Sequence, residues 1–281
     1  MISAFKNALA VFLKNPFVLL PGVVAAIIAV FLSDLTLMPM LEAVYDFAIT
    51  QGGMSLGFFE AVPLFSKAYT GLILLVLAVC FLSLVLSAML LFFCSKYAMR
   101  FREKNAFSDS LKFMFSMLPQ AVGFVLAGMV FAFIAFIILF LLALFLPPHI
   151  ISGAAICLAL FIFAFSFMKL FLFAAPAIAI DGFDVREGLA ASWRFTSKKF
   201  FESMLAVVVV IFSVSTITNI GLFVLDSLAE DIFSFAVSAI FDSLVFSFAS
   251  LFFAFYYLGN RGTVGQKEAK KHEPWKKRAK K

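Results

Sequence analysis

The chain has 281 residues, of which 64% are hydrophobic and 14% are charged. A soluble domain has about half apolar and a quarter charged residues, so this composition excludes an ordinary soluble fold and predicts an integral membrane protein. The formal net charge of +6 arises mainly from the basic residues of segment 267–281. A charge excess confined to one end gives no reason to expect a nucleic acid as a partner.

Six long apolar runs predict the transmembrane helices, near residues 17–32, 69–94, 121–146, 150–174, 204–225 and 232–258. A helix needs about 20 residues to cross the hydrocarbon core of a bilayer. Only helices and closed barrels satisfy their backbone groups in lipid, and these runs do not alternate as barrel strands do. We therefore predict an all-α membrane domain over residues 1–262, followed by a basic, disordered cytosolic tail over residues 263–281.

The first run is short and contains Pro21 and Gly22, with Lys6 and Lys14 before it. A cleaved signal peptide is the competing interpretation, and charge alone does not decide between them. The repeat described below favours a retained helix. In the segment that follows, residues 39–50 and 55–66 mix apolar and polar side chains and are compatible with two short helices on the outer face. The alternatives are a small outer lid and a simple surface loop, of which the loop is favoured.

The basic residues predict the orientation. If the N-terminus is cytosolic, every Lys and Arg except Lys67 lies on the inner side or at an inner helix end. The outer segments carry acidic residues instead, namely Asp34, Glu42, Asp46, Glu60, Asp226, Glu230 and Asp231. This segregation follows the positive-inside rule. It predicts a multi-pass protein of the cytoplasmic membrane with both termini cytosolic.

Similar amphipathic segments precede three of the runs, starting near Ala4, Ala106 and Asp184. Each places bulky apolar residues four apart, which lie along one face of a helix. These stripes are Phe5, Leu9 and Leu13; Phe107, Leu111 and Phe115; Val185, Leu189 and Trp193. Asp184 and Glu187 have the spacing of a capping box. The pattern predicts three repeats, each an interfacial helix followed by a helical hairpin.

Asp242 is the one ionisable residue near the middle of a predicted span, and charge at that depth is costly. Ser234, Ser238 and Asp242 share a helical face, and the fifth span carries Ser215 and Asn219. We predict that these five residues form a polar packing seam between spans five and six. The alternative is a polar pathway or substrate contact at Asp242.

Catalytic and metal-binding residues are not predicted. Residues 53–57 match the G-x-S-x-G pattern around Ser55, but no strand precedes it, and a Gly-rich loop explains the match. His149 and His272 fall on opposite sides, so the metal-ligand pairs of common zinc motifs are missing. The three cysteines, Cys80, Cys94 and Cys157, lie in or at the ends of apolar runs. We expect no cofactor, no metal and no enzymatic activity.

The inner face carries the candidate interfacial anchors Asp181, Trp193, Arg194, Lys198 and Lys199. Tryptophan and basic side chains are ordinary anchors at the boundary between head groups and acyl chains. The basic tail adds attraction to anionic lipid of about 1 kcal/mol per nearby Lys or Arg, or it serves only as a topology signal. Membrane lipids, including anionic head groups, are the expected partners. A protein partner cannot be named from the sequence.

The stretch from Phe171 reads FLFAAPAIAIDGFDVREGLAASWRFT and resembles the membrane domain of the glycerophosphoryl diester phosphodiesterase family. The matching positions are Pro176, Asp181, Leu189, Ser192, Trp193, Arg194 and Thr196, and Gly188 stands where the family often has Ala. The resemblance implies the six-span membrane module alone. The family's phosphodiesterase domain is a separate TIM barrel of about 250 residues, so no catalytic residue carries over.

These patterns together predict a non-catalytic membrane module that organises lipid or a partner protein through its inner helices. The alternative function is a transporter or permease component that would use the repeat to alternate between conformations and Asp242 to contact substrate or protons. A continuous polar cavity that reaches Asp242 would favour transport, and a closely packed bundle would favour the module.

Overall fold

The computed structural model describes residues 1–50, 64–145, 150–227 and 231–272, and the regular elements within these ranges are helices. Those with both ends described are α1 (Ile2–Lys14), a 3-10 helix (Pro16–Leu19), α2 (Leu20–Thr50), α3 (Thr70–Arg100), α4 (Ala106–Ser116), α5 (Leu118–Phe145), α6 (Ile150–Phe171), α7 (Ala174–Asp181), α8 (Val185–Lys198), α9 (Phe200–Ser227) and α10 (Asp231–His272). The predicted all-α fold is confirmed.

Within the described residues, five helical stretches are long and apolar enough to cross a membrane: Thr70–Arg100, Leu118–Phe145, Gly153–Asp181, Phe200–Gly221 and Ile240–Arg261. A sixth is reached if the bent pair Ile2–Lys14 and Pro16–Ile28, whose axes meet at 101°, counts as one span. Asn15 lies at this bend with φ −139° and ψ 73°. A residue before proline avoids the helical region, so Pro16 explains why α1 ends there.

The helix α2 is longer than the sequence predicted. It continues without a break to Thr50 and contains Pro39, so the favoured surface loop and the separate outer helix are both wrong at residues 39–50. The other outer helix considered, at residues 55–66, falls largely outside the described residues. The local mixture of polar and apolar side chains indicated a loop with surface helices, whereas one continuous helix satisfies the same backbone groups with fewer exposed ends.

The helix α10 also passes the predicted boundary between membrane domain and tail. It extends to His272, whereas the tail was expected to be disordered from residue 263. Gln, Lys, Glu and Ala are good helix formers, which is consistent with continuation of α10 beyond its apolar part. Residues 273–281 lie outside the described part of the chain.

The core of the bundle is concentrated at one end, which we call the charged end because Arg100, Lys169, Lys199 and Arg261 lie there. The short helix α7 occupies its centre, with every residue from Ala174 to Ile180 buried. Buried residues of α3 and α10 surround α7. The sequence of α7 is rich in Ala, so neighbouring helices can approach its backbone closely.

Glycines at two helix crossings determine how α10 packs. A Cβ on Gly22 of α2 would lie 3.0 Å from Ser247 Oγ and 3.2 Å from Ser243 Cβ, so small residues meet on both helices. A Cβ on Gly221 of α9 would lie 2.9 Å from the ring of Phe241. The buried serines Ser243 and Ser247 of α10 therefore face α2. Where α10 crosses α9, the ring of Phe241 packs against Gly221.

Candidate functional site

The short helices α1, α4 and α8 each bury a row of mainly small side chains against the bundle at the charged end. The buried residues are Ala4, Ala8 and Val11 on α1; Ala106, Ser110 and Met114 on α4; and Gly188, Ser192, Phe195 and Thr196 on α8. Small residues let a helix approach its neighbours closely. Each of the three helices therefore packs against the bundle through its face of small residues, and its adjacent face lies towards the protein surface.

The bulky stripes predicted from sequence occupy that adjacent face. The first residue of each stripe, Phe5, Phe107 or Val185, is half-buried and packs against the core. The last residues are more exposed: Leu13 at 77%, Phe115 at 63% and Trp193 at 41%. Each stripe thus runs from the protein core outward to an apolar surface.

The hydroxyl group of Ser192 docks α8 onto the junction between α6 and α7. It accepts a hydrogen bond from Phe173 N at 3.1 Å and donates one to Lys169 O at 2.9 Å. In an uninterrupted helix Lys169 O and Phe173 N would bond to each other directly. The Ser192 hydroxyl is therefore inserted into the helical ladder, where it satisfies both backbone groups and fixes α8 in place.

The turn between α7 and α8 has the residues that its geometry requires. Gly182 ends α7 with φ 73°, a left-handed conformation that favours glycine. Asp184 is the N-cap of α8, and its side chain accepts a hydrogen bond from Glu187 N at 2.7 Å. The helix start predicted at Asp184 is confirmed.

Asp181 anchors the last helix to the end of α7. Its carboxylate accepts hydrogen bonds from Tyr257 Oη at 2.5 Å and from Arg261 Nη1 at 2.7 Å. The Asp181 side chain is 23% exposed, so part of this interaction is shielded from water. The charge-assisted pair links residues that are far apart in sequence.

A second polar cluster joins the start of α9 to the same turn of α10. Lys199 Nζ donates to Asn260 Oδ1 at 2.7 Å and to Glu202 Oε2 at 3.2 Å. Tyr256 Oη also donates to Glu202 Oε2, at 3.2 Å. Adjacent tyrosines on α10 therefore hold separate carboxylates, and together the two clusters close the charged end.

The predicted interfacial anchors divide into two groups. Asp181 and Lys199 are bonded to other groups of the protein, and their role as head-group anchors stays a prediction. Trp193, Arg194 and Lys198 lie on the exposed side of α8. The bonds within the protein occupy the Asp181 carboxylate and the Lys199 ammonium group, which are the groups that a lipid head group would contact.

Lys169 carries its charge among aromatic rings beside Trp193. Its Nζ lies 4.7 Å from the ring centroid of Phe165, 4.9 Å from that of Trp193 and 5.9 Å from that of Phe200. A cation over aromatic faces is attracted by their quadrupoles. This arrangement suits a lysine stem that passes along apolar surface towards an aqueous boundary.

The predicted polar seam between the fifth and sixth spans is not what the described side chains form. Asp242, Ser215 and Asn219 are exposed. Ser234 and Ser238 lie on α10, but their side chains fall outside the described part. The buried serines of α10 are Ser243, Ser247 and Ser250, and the first two face Gly22 of α2. Ser243 follows Asp242 by one residue and therefore lies on a different face of α10. That face packs against α2, whereas the prediction placed the polar contact against the fifth span.

Asp242 also lies far from the charged end. At 1.5 Å per residue, the rise along α10 from Asp242 to Arg261 is about 28 Å, nearly the thickness of a hydrocarbon core. If Arg261 lies at one boundary, Asp242 therefore approaches the opposite boundary. The position of Asp242 near the middle of the apolar run therefore does not place it at the middle of the hydrocarbon core.

The sequence predicted no catalytic or metal-binding residue, and two of the residues weighed for such roles cannot be compared with the structure. Ser55 and His149 lie outside the described residues. In the part that the structure describes, no group of three His, Cys, Asp or Glu side chains could hold a metal ion. Cys80, Cys94 and Cys157 are free thiols.

Sequence reasoning missed several residues that build the charged end, above all Tyr256, Tyr257, Glu202 and Asn260. The adjacent tyrosines are a visible signal, because a tyrosine at the end of an apolar run needs a partner for its hydroxyl. The identity of each partner depended on the tertiary fold.

Neither a scan against protein-family models nor searches of curated proteins and solved structures finds a match to this chain. The resemblance to the membrane domain of the phosphodiesterase family therefore stays a prediction. The fold and the charged end define a class, a helical multi-pass membrane protein, and the interpretation of its role rests on the geometry.

Proposed function

We propose that this chain is a non-catalytic membrane module that organises lipid at its charged end. In this proposal the charged end faces the cytosol and both termini lie on that side of the cytoplasmic membrane. The basic residues of the sequence support this orientation through the positive-inside rule. The short helices α1, α4 and α8 are the working surface.

One observation carries the proposal: each short helix buries small side chains and turns a bulky apolar stripe outward. Fully burying a large apolar side chain contributes about 1.5–3 kcal/mol, so three stripes open to water would forgo several such contributions. Insertion of the stripes among lipid chains recovers this free energy, as for other interfacial helices. The helices would then hold the surrounding lipid in a fixed arrangement.

The proposal treats α1, α4 and α8 as equivalent parts of three repeated units. Ala8, Ser110 and Gly188 support the equivalence, because each is buried and immediately precedes the middle residue of its stripe. The resemblance to the phosphodiesterase membrane domain is part of the same proposal. It would make the chain a stand-alone form of that module.

The geometry gives less support to the transporter alternative. The apolar groove among α1, α9 and α10 is lined by Leu244 and Phe248, and Asp242 is not among its lining residues. Ser243 and Ser247 pack against Gly22, and neither is among the residues that line that groove. A proton or substrate path through Asp242 would need polar neighbours along the bundle.

The test compares the full-length protein with two triple variants, all extracted together with the surrounding membrane. Leu13→Gln, Phe115→Gln and Trp193→Gln remove the exposed ends of the stripes. Asn7→Gln, Ser108→Gln and Glu187→Gln place glutamine on other exposed positions of the same helices and serve as the matched control. Mass spectrometry then counts the lipids and proteins retained with each form.

The proposal predicts that the unchanged protein retains a lipid set distinct from the bulk membrane. The stripe variant should lose this enrichment, and the control should keep it. Retention of lipids in bulk proportions by the unchanged protein would contradict the proposal. Equal enrichment in the stripe variant would show that the short helices are not the working surface.

A further inference from the structure

A groove on the outer side of α8 combines an apolar floor with basic ends. Its volume is about 610 Å³, within the range of ligand sites. Leu170, Leu189 and Trp193 contribute apolar walls, and Arg186 and Arg194 line it from positions about two turns apart on α8. The groove thus has an apolar surface suited to a hydrocarbon chain, and the stems of Arg186 and Arg194 border it.

The spacing along α8 allows the two arginines to act on one group. Arg186, Ala190 and Arg194 are four residues apart, so they share one helical face. The arginine Cα atoms are about 12 Å apart along the helix axis, with Ala190 midway. Arg194 Nε donates to Ala190 O at 3.3 Å, which inclines its side chain back towards this midpoint. The small Ala190 side chain leaves room above it.

We propose that this groove binds one anionic phospholipid, an assignment that rests on the proposed lipid-organising function and names its ligand. The head-group phosphate lies over Ala190 between Arg186 and Arg194, and an acyl chain follows the walls formed by Leu170 and Leu189. Charge complementarity selects this occupant, because guanidinium groups bind phosphate through paired N–H donors. Trp193 and the nearby Lys169 mark the boundary between head group and chain.

The test uses the full-length protein reconstituted in bilayers of mixed phosphatidylcholine and phosphatidylglycerol. After gentle detergent extraction, native mass spectrometry measures how much phosphatidylglycerol remains bound. Arg186→Gln with Arg194→Gln removes the phosphate contacts. Lys6→Gln with Lys112→Gln removes the same charge from α1 and α4 and is the matched control, since both lysines are exposed.

Two further variants separate the shape of the site from its charge. Ala190→Leu fills the groove without changing charge, and Ala154→Leu makes the same change at an exposed position of α6 as its control. Arg186→Lys with Arg194→Lys keeps the charge but loses the paired donors. Size-exclusion chromatography and circular dichroism confirm that each variant is folded before its lipid is counted.

The proposal predicts about tenfold lower phosphatidylglycerol retention in the double Gln variant, as expected for the loss of one charge-assisted contact or more. Ala190→Leu should also lower retention, the double Lys variant should be intermediate, and both controls should match the unchanged protein. Wild-type retention in the folded double Gln variant or in folded Ala190→Leu would overturn the site. Equal loss in the two charge-removing pairs would also overturn it, since diffuse attraction would then suffice.

Failure of the site can be distinguished from failure of the proposed function. If the unchanged protein enriches phosphatidylglycerol but the groove variants do so equally, only the site is wrong. If the unchanged protein retains no lipid beyond the bulk proportions, the lipid-organising function fails as well. Displacement of the bound lipid by inorganic phosphate alone would contradict a contribution from the acyl chain.

Discussion

The Ser192 hydroxyl connects α8 to the junction of α6 and α7, and replacing Ser192 by alanine removes both of its hydrogen bonds. Ser192 and Phe173 are each 0% exposed, so the Phe173 N–H would be left without a partner away from water. The Lys169 carbonyl, the other partner, is only partly shielded. An unsatisfied buried polar group costs about 1–3 kcal/mol, so we expect Ser192→Ala to lower the free energy of unfolding by about 2–4 kcal/mol.

The assay is equilibrium unfolding of the full-length protein in mixed micelles with increasing sodium dodecyl sulfate, followed by circular dichroism. Ser197→Ala is the matched control, because Ser197 is an exposed serine on the same helix. The control should change the free energy of unfolding by no more than about 0.5 kcal/mol. If Ser192→Ala also stays within that range, the hydroxyl does not hold the junction and the argument is refuted.

The same unfolding assay tests other contacts of the charged end. Gly188→Ala should lower the free energy of unfolding by about 1–3 kcal/mol, because the added Cβ would lie 2.4 Å from Ile178 Cγ1. Gly153→Ala is the control, since its Cβ meets no atom within 4 Å and should not destabilise α6. Equal effects of the two substitutions would contradict the close approach of α8 to α7. Asp181→Asn should cost about 1 kcal/mol through the weakened ion pair, and an unchanged transition would mean that the pair adds nothing. Asp242→Asn should leave both unfolding and lipid retention unchanged, since its side chain is exposed; loss of lipid retention would bring Asp242 back into the working site.

The helical fold was predictable because its signals are local. Long apolar runs require helices in lipid, and they located α3, α5, α6 and α9 closely, whereas α2 and α10 extend well beyond their predicted ends. Asp184 predicted the start of α8 because an N-cap acts on amides within its own first turn. The continuation of α2 to Thr50 was missed, since mixed polarity does not separate a surface loop from a long helix with one solvated end.

The candidate site was predictable only in part, because its bonds join distant parts of the chain. Trp193 and Arg194 stood out through their residue types and their place beside an apolar stripe. No local pattern could pair Tyr257 with Asp181 or insert the Ser192 hydroxyl between Lys169 and Phe173. The prediction that Asp242 belongs to a polar packing seam failed for a related reason. Its position in an apolar run does not determine which residues surround it or how deeply it lies.

The depth of Trp193 in the membrane is the decisive measurement, because lipid organisation by the short helices requires α8 to lie at the lipid boundary. The chain has two tryptophans, so replacing Trp275 by phenylalanine leaves the fluorescence of Trp193 alone. In reconstituted bilayers, lipids brominated close to the head group should quench this fluorescence more strongly than lipids brominated at the chain ends or aqueous iodide. Strong quenching by iodide with none by brominated lipids would place α8 in water and contradict the account.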